Sequence, residues 1–502
     1  MRAGRGAPVI AVLGCYGAVG GAVVRRLREA GAGPLRLGGR DLDRVRALIG
    51  TGSGGPAGAE AATGGAVPGA AVPDVGGMEA GAGADEAVAV DLRDAAALAA
   101  FCEGCHVVVN CAGPSSRILD TVARAALAAG AHYVDVAGDA AVRDRLAAAG
   151  LPAGSTVHRG SRGQGSAGHD SAGQGSAGHD SAGQGSDGQG SAGQGSDGQG
   201  SAGHGFDGQG SAGQGSDGQG FDGRGSAGHG FDGRGFAGHG SAGRSRAGRD
   251  DAGRVVVLAA GMMPGLSALL PRHLAGQGFD RVDRLTAHVG GVDRFTPAAA
   301  LDYVASLSDG YATPLAVWRG HQVIPRASRP RRGVELPHFP GRVNAYPYLS
   351  AEAERLARSL GFAEVEWSSV FDGELTLAAL ARLHDLDADT AAGELVRTSR
   401  LEAFGRTPYF QMVFRMEGEA AGRPVTRTLV ARAADSYELS AAVAVLAAGA
   451  VLRGLVRPGL HDAADVLDAG AVFQALLDDP AVTRLEVVDG VAPAVEVEEG
   501  VL

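Results

Sequence analysis

Between Val9 and Val136 the chain repeats one unit: a short run of apolar residues, a break rich in glycine or polar side chains, then a stretch with helical spacing. The runs Val9 to Leu13, Leu35 to Leu37, Ala87 to Val90, His106 to Cys111 and His132 to Val136 read as strands, with helices at Gly20 to Ala30, Ala95 to Cys102 and Ile118 to Ala129. The strands do not alternate apolar with polar, so both of their faces are buried. Strands of that kind joined through helices form a parallel sheet, and the expected class is α/β with a doubly wound parallel sheet. Val255 to Ala259 has the same texture and is expected to return as a sixth strand.

What separates that sixth strand from the others cannot fold in the same way. Residues 161 to 250 are a pentapeptide array of the type SAGQG, SAGHD, SDGQG and FDGRG, with glycine at the third place. Few of its residues could enter a core, and the entropy of ordering so much glycine has nothing to offset it. Residues 159–253 are therefore expected to be a long disordered Gly-rich insertion. Its histidines, His169, His179, His204, His229 and His239, lack the preformed geometry that a metal site needs. A second biased stretch over 51–84 reads as an inserted loop. The division that follows is a nucleotide-binding domain over 1–158, its return strand over 254–265, and an α+β domain over 266–502. In that last part Leu285 to Val289, Ala363 to Trp367, Tyr409 to Met416 and Pro424 to Ala431 alternate like antiparallel strands, and GEAAG at 418–422 has the glycine content of a hairpin turn. Helices are expected at Ala298 to Leu307, Ala351 to Leu360 and Leu439 to Arg453.

Charge and residue usage exclude several functions. The net charge is −11 with no basic tail, which leaves no positive footprint for nucleic acid or an anionic membrane. The apolar stretch Leu439 to Leu452 is shorter than the roughly 20 residues a membrane span requires. No signal peptide precedes the first strand, and four cysteines make no disulfide framework in a chain of 502 residues, so the cytoplasm is the expected compartment. Cys102 and Cys105 have the spacing of a redox or zinc pair but read as ordinary buried thiols. All 45 basic residues are arginine. Schiff-base chemistry and every site built on a lysine ammonium are thereby removed.

The candidate site begins at the first strand–helix junction. Gly14, Gly17 and Gly20 stand there, with Ala18 and Val19 between them: Gly14 for the tight turn, Gly17 for close approach of a pyrophosphate, Gly20 for close helix packing. The helix N-terminus then faces the phosphates. After the second strand the chain offers Gly38-Gly39-Arg40 where an NAD site usually places an acid. Arg40 can clamp a 2′-phosphate, which points to NADP over NAD. Asp91 ends the third strand, within reach of an adenine, while Asp94 is the better cap for the next helix. Asn110, Ala112, Gly113 and Pro114 stand where the fourth strand ends and would border the nicotinamide-side ribose. Candidate proton donors are Tyr133, Asp135, Tyr303, Asp309 and Tyr311; Asp135 could equally cap its own turn. Gly261 to Leu266 should border the nicotinamide, with Met262 and Met263 as an apolar wall or as core. Arg326, Arg329, Arg331 and Arg332 could receive a substrate carboxylate or lie solvated on a loop.

Taken in order, GCYGAVGG, LGGRD, VVVNCAGP, AHYVDVAGD and AAGMMPGL resemble the saccharopine dehydrogenase-like oxidoreductases. The resemblance covers about 150 residues on either side of the glycine array. It implies a Rossmann NADP-binding domain, a substrate and dimerisation domain over 266–502, a homodimer, and hydride transfer at a carbon bonded to nitrogen in a small, amino-acid-like molecule. The same resemblance takes in trans-acting enoyl reductase-like enzymes, and a non-catalytic nucleotide-binding regulator is the reading from a different class. Lysine-dependent members are disfavoured by composition.

Overall fold

The computed structural model describes residues 8–50, 84–138, 140–154, 253–308 and 312–490. The expected loop from residue 51 and the pentapeptide array lie outside these residues, as do Asp309 and Tyr311. The apolar runs form β1 (Ile10–Leu13), β2 (Leu35–Gly39), β3 (Glu86–Ala89), β4 (Val107–Asn110), β5 (His132–Asp135) and β6 (Val255–Leu258). Helices α1 (Ala18–Glu29), α2 (Leu42–Gly50), α3 (Ala95–Cys102), α4 (Ser115–Ile118), α5 (Thr121–Ala128) and α6 (Ala140–Ala148) lie between and after them. All neighbouring strands run parallel, in the order β3-β2-β1-β4-β5-β6. The order reverses between β1 and β4, and such a switch point opens a crevice at the strand C-termini. Ile10 and Val12 enter one apolar layer and Ala11 and Leu13 the other, which is why no polar alternation is seen in the sequence. The single helix expected over Ile118 to Ala129 is broken into α4 and α5, because Leu119 between them has φ of 51°.

Helix α7 (Leu266–Ala275) leads into a second, mixed sheet. Its elements are β7 (Arg281–Val292), α8 (Pro297–Ser308), β8 (Ala312–Pro314), β9 (Val317–Arg319), β10 (Gln322–Ile324), β11 (Arg331–Glu335) and β12 (Arg342–Ser350). There follow α9 (Ala351–Leu360), β13 (Glu364–Phe371), α10 (Glu374–Leu380), α11 (Ala388–Ala403), β14 (Tyr409–Ala420), β15 (Arg423–Ala433) and α12 (Ser436–Leu452). The chain closes with β16 (Gly459–Asp462), α13 (Ala463–Val466), α14 (Ala469–Leu477) and β17 (Val482–Asp489). The spine of the sheet is β10-β9-β13-β7-β14-β15-β17, with β12 also paired to β13. The hairpin expected at GEAAG is present: Ala421 and Gly422, with φ of 50° and 71°, turn β14 into β15, the backbone signs of a type I′ turn. Ala363 to Trp367 departs from the antiparallel expectation on one side, where β13 runs parallel to β7. A long excursion through β8 to β12, not a hairpin, joins those two strands.

Two features correct the division at residue 266. Strand β16 does not join the second sheet; it pairs in parallel with β6 and makes the seventh strand of the first. Helix α12 packs along α1 and also against β4, β5 and β15. Its residues Leu439 to Val451 are buried almost without interruption. A helix that is apolar all round must be covered all round, and α12 is covered because it runs between the two sheets. One apolar core thereby continues from Val12 and Val109 of the first sheet, through Val443 and Ala447, to Met412 and Phe414 of the second. Buried Arg26 of α1 fastens the same layer by hydrogen bonds to Asp479 and Glu438.

Candidate dinucleotide and substrate cleft

A cleft of about 1250 Å³ runs from the first glycine turn, along the C-terminal ends of β1, β4 and β5, to the second sheet. Its volume exceeds the roughly 300–1000 Å³ of an ordinary small-molecule pocket, so it has room for a nucleotide and a second ligand.

The glycine turn is built by contact. Gly14 has φ of 77°, and a Cβ there would meet Ala112 N at 2.7 Å. A Cβ on Gly20 would lie 2.1 Å from Gly14 O, so α1 starts directly against the turn. The N–H groups of Gly14 and Cys15 both donate to Gly38 O, at 2.8 and 3.2 Å, and Gly17 N–H donates to Gly14 O at 3.0 Å. Gly17 is the N-cap of α1 and offers no side chain, and the first turn carries no acid. The N–H groups of Ala18 and Val19 at that terminus are left for an external anion, which favours a pyrophosphate in the cleft they line.

At the end of β2, Gly39 makes way for the Tyr16 ring, which a Cβ would approach to 2.4 Å. Arg40 and Arg44 are exposed and line the cleft there, and the Arg44 guanidinium lies 4.3 Å from the centroid of the Tyr16 ring. Two guanidinium groups beside an aromatic plane suit an adenosine bearing a phosphate. Sequence reasoning found Arg40 but missed Arg44 and Tyr16; the Arg40 to Arg44 spacing, one helical turn, was the available signal. Asp91 also lines the cleft, with one carboxylate oxygen accepting from Arg93 N–H at 3.0 Å. Asp94 caps α3, as expected, through Ala96 N–H and Ala97 N–H.

The loop after β4 brings Asn110, Ala112, Gly113 and Pro114 to the cleft together. Its position is set from the second domain. The Asp302 carboxylate on α8 accepts from Ser115 N–H, Ser116 N–H and the Ser116 hydroxyl, each at 2.9 Å. A Cβ on Gly113 would come within 2.9 Å of Ala298 Cβ, also on α8.

Asp135 and Tyr133, the proton donors favoured by sequence, are placed differently from that expectation. Both are buried, and the lining of the cleft passes from Val136 to Asn110 without including them. Asp135 Oδ1 accepts from Ala137 N–H at 3.0 Å and Gly138 N–H at 2.8 Å, while Oδ2 accepts from Tyr133 Oη and from Asn110 Nδ2. Register explains the arrangement: Asn110 pairs with Asp135 across β4 and β5, and Tyr133 lies two residues earlier on the same face. Burial raises the Asp135 carboxyl and, together with the neighbouring carboxylate, the Tyr133 phenol. The network ties two strand ends together beneath the cleft.

Tyr303, the other candidate among the described residues, does line the cleft, where burial keeps its phenol protonated well above the ordinary range. Its ring meets Phe295 and Phe371 at centroid distances of 5.5 and 6.3 Å. Met262 and Met263 border the cleft after β6, Met262 almost buried at 9% exposure and Met263 at 36%. Cys111 lines it too, its thiol raised by burial. The arginines at 326, 329, 331 and 332 are not brought to this site. Arg331 instead lies 3.0 Å from His288 Nε2 through Nη2, and Arg332 donates to the Tyr346 hydroxyl at 3.1 Å.

Glu352 is the residue that sequence reasoning missed altogether. It sits in the first turn of α9, lines the cleft beside Met262 and Met263, and is 9% exposed. Its Oε1 accepts from Gly265 N–H at 2.7 Å, and its Oε2 accepts from the Ser267 hydroxyl. Burial pushes its carboxyl up to about 7.

Residues 10–153 match the family described as the saccharopine dehydrogenase NADP binding domain. Among solved structures, the apo saccharopine dehydrogenase (L-Glu forming) from Saccharomyces cerevisiae aligns over 96% of this chain and 100% of its own, at 12% identity and a TM-score of 0.51, a likeness of fold. GenD2 from gentamicin A biosynthesis, in complex with NAD, aligns over 98% of this chain and 99% of its own at 11% identity, with a TM-score of 0.35. No curated protein matches the chain. Among the described residues no helix is long and apolar enough to cross a membrane.

Proposed function

With residues 10–153 a domain of the saccharopine dehydrogenase NADP binding family, we propose that the chain is an NADP-dependent oxidoreductase that transfers hydride at a C–N centre of a small molecule. The observation that carries this reading is the uncapped N-terminus of α1, which opens, beside Arg40 and Arg44, into a cleft walled on its far side by the second domain. The first turn of α1 would hold the pyrophosphate, Tyr16 and the two arginines the phosphorylated adenosine, and the Asn110 to Pro114 loop the nicotinamide-side ribose. When bound, the nicotinamide supplies or takes up the hydride.

The residues around the inner end then have separate tasks. Asp302 fixes the loop after β4, so that the reacting groups meet in one geometry rather than many. Phe295, Tyr303 and Phe371 make an apolar wall that excludes water from that end. The Asn110–Tyr133–Asp135 network holds the floor.

Arg40→Ala tests the cofactor half of the reading. Loss of one charge-assisted contact to a 2′-phosphate is worth about 1.5–3 kcal/mol, so NADPH affinity should fall roughly 10- to 100-fold with NADH little changed. Equal losses for both nucleotides, measured by fluorescence titration, remove the 2′-phosphate role. The catalytic half is tested by following NADPH oxidation against cyclic imines, 2-oxo acids with amines, and enoyl thioesters. Turnover of enoyl substrates alone assigns the enoyl reductase chemistry, and tight NADPH binding with no turnover assigns a nucleotide-binding regulator.

A further inference from the structure

Five carboxylates from the second domain line the cleft, and four of them are engaged in holding the protein together. Asp302 accepts three hydrogen bonds from the α4 loop. Asp372 accepts from Tyr409 Oη at 2.7 Å and from Arg406 at 2.6 Å. Glu402 caps α10 through Leu375 N–H and Thr376 N–H, at 2.9 and 3.0 Å. Asp293 accepts from Arg294 N–H and Ser436 N–H, at 2.8 and 3.1 Å.

Glu352 differs in its surroundings. It reaches from α9 to Gly265, the N-cap of α7, whose φ of 129° and missing side chain leave that terminus without a cap of its own. Among the described residues one hydrogen bond reaches each of its oxygens, so the carboxyl plane is fixed while further lone-pair directions remain open. The charged groups around it are few. Arg355, one turn on along α9, lies 3.3 Å from Asp462 of β16, and Asp462 is also paired with Arg143 of α6. Arg355 draws the Glu352 carboxyl toward ionisation, but it is also paired with Asp462, which opposes that ionisation, and burial outweighs the attraction. From α7 the carboxyl meets only the Gly265 amide and the Ser267 hydroxyl. The result is a buried carboxyl that lines, with Met262 and Met263, the end of the cleft given above to the nicotinamide, and that makes no ion pair among the described residues.

We propose that Glu352 is the acid–base residue of the cleft, exchanging a proton with the substrate nitrogen. The role rests on the oxidoreductase reading above, with a reduced nicotinamide nucleotide as the reductant. In the reductive direction the hydride brings its electron pair to carbon and forms the C–H bond. The C=N π pair moves onto nitrogen, and nitrogen takes the Glu352 proton to form N–H. The nucleotide leaves oxidised and Glu352 ionised, to be reprotonated by water entering the cleft. A chain without lysine needs another group for this exchange, and a carboxyl poised near neutrality can both give and take a proton at working pH.

Glu352→Gln keeps an oxygen for Gly265 N–H and removes the titration, so it separates this role from simple capping of α7. In the unfolded chain a glutamate ionises near pH 4.5, whereas in the fold Glu352 resists until about 7. Between those values rising pH favours the unfolded chain, and urea unfolding should show the wild type losing stability from pH 4.5 to 7 relative to Glu352→Gln. Parallel curves overturn the proposal without any assay of turnover. On whichever cyclic imine the wild type reduces, Glu352→Gln should lower kcat by roughly 100-fold or more, with NADPH affinity unchanged and the pH dependence near 7 lost. An unchanged rate and pH profile refutes the role of Glu352 while leaving the oxidoreductase reading standing. Failure of the wild type to reduce any imine, with NADPH bound, refutes that reading and this role with it.

Discussion

Two adjacent glycines in α1 should respond in opposite ways to the same substitution. In Gly20→Ala the new methyl would lie 2.1 Å from Gly14 O, 2.8 Å from Gly14 C and 2.9 Å from Cys15 Cα, all backbone atoms that cannot swing aside. To restore ordinary contact the start of α1 must move by about 1 Å, and it is not free to do so: Arg26 holds its far end to Asp479 and Glu438. Overpacking of this kind costs about 1–3 kcal/mol, and losing the Gly17 N–H to Gly14 O bond adds about 1. Less the propensity gain of about 0.8–1 kcal/mol that a helical Gly→Ala brings, a destabilisation of about 1–3 kcal/mol follows. The displaced terminus should also weaken NADPH by up to roughly 30-fold, the worth of a well-placed helix N-terminus being at most about 2 kcal/mol. In Gly21→Ala the nearest atom to the methyl is Cys15 O at 3.7 Å, an ordinary contact. There the gain in helix propensity, about 0.8–1 kcal/mol, has nothing to oppose it, so this variant should be more stable than the wild type and bind NADPH normally. Urea unfolding and NADPH titration on the two variants decide the matter. If Gly20→Ala is as benign as Gly21→Ala, the close seating of α1 on the glycine turn is wrong.

Asp302→Ala removes the acceptor for two amides and a hydroxyl of the α4 loop; with water from the cleft replacing part of it, the cost should be about 2 kcal/mol in urea unfolding, the upper range for losing a helix cap. The imidazole of His288 takes a proton near pH 6.5 in the unfolded chain, but in the fold burial and Arg331 hold it down to about 4. Acidification between those two values therefore favours unfolding, and His288→Gln should flatten that part of the stability–pH curve. An unchanged acid limb would mean that His288 is not the group responsible.

The parts of the fold that could be read in advance share a physical reason. A strand buried on both faces has to be an uninterrupted apolar run, so Val107 to Val109 and Val255 to Leu258 announce themselves. The seventh strand does not: Gly-Leu-His-Asp at 459–462 carries one apolar side chain, and it is buried because His461 fills the place of a side chain at Gly154, whose Cβ would lie 1.7 Å from His461 Cε1. That fit is a contact between residues some three hundred positions apart, and no local pattern records it. The site divides in the same way. Gly14, Gly17, Arg40 and the Asn110 loop each stand at the C-terminal end of a strand of one parallel sheet, so their gathering along one cleft could be read from the strand pattern. The chemical types of Tyr133 and Asp135 invited a catalytic role, but their spacing of two on β5 turned their polar atoms toward each other, and the β4–β5 register set Asn110 against them. Glu352 looks, in the sequence, like any acid in the first turn of a helix. Only its reach to Gly265 and Ser267 distinguishes it.

The return of β16 to the first sheet has a consequence for how the molecule can be divided or flexed. The chain leaves that sheet after Leu258, re-enters it at Gly459 and leaves again after Asp462 to end in β17, so the second sheet is attached by three covalent connections instead of one. Opening of the cleft must then bend all three connections at once, which permits a limited hinge and rules out a free swing about a single linker. A fragment ending near residue 265 would also present β6 as a bare apolar edge, Val-Val-Val-Leu, open to pairing with another copy of itself. The last stretch of the chain, remote in sequence from the glycine turn, is what keeps the nucleotide-binding half from being sticky.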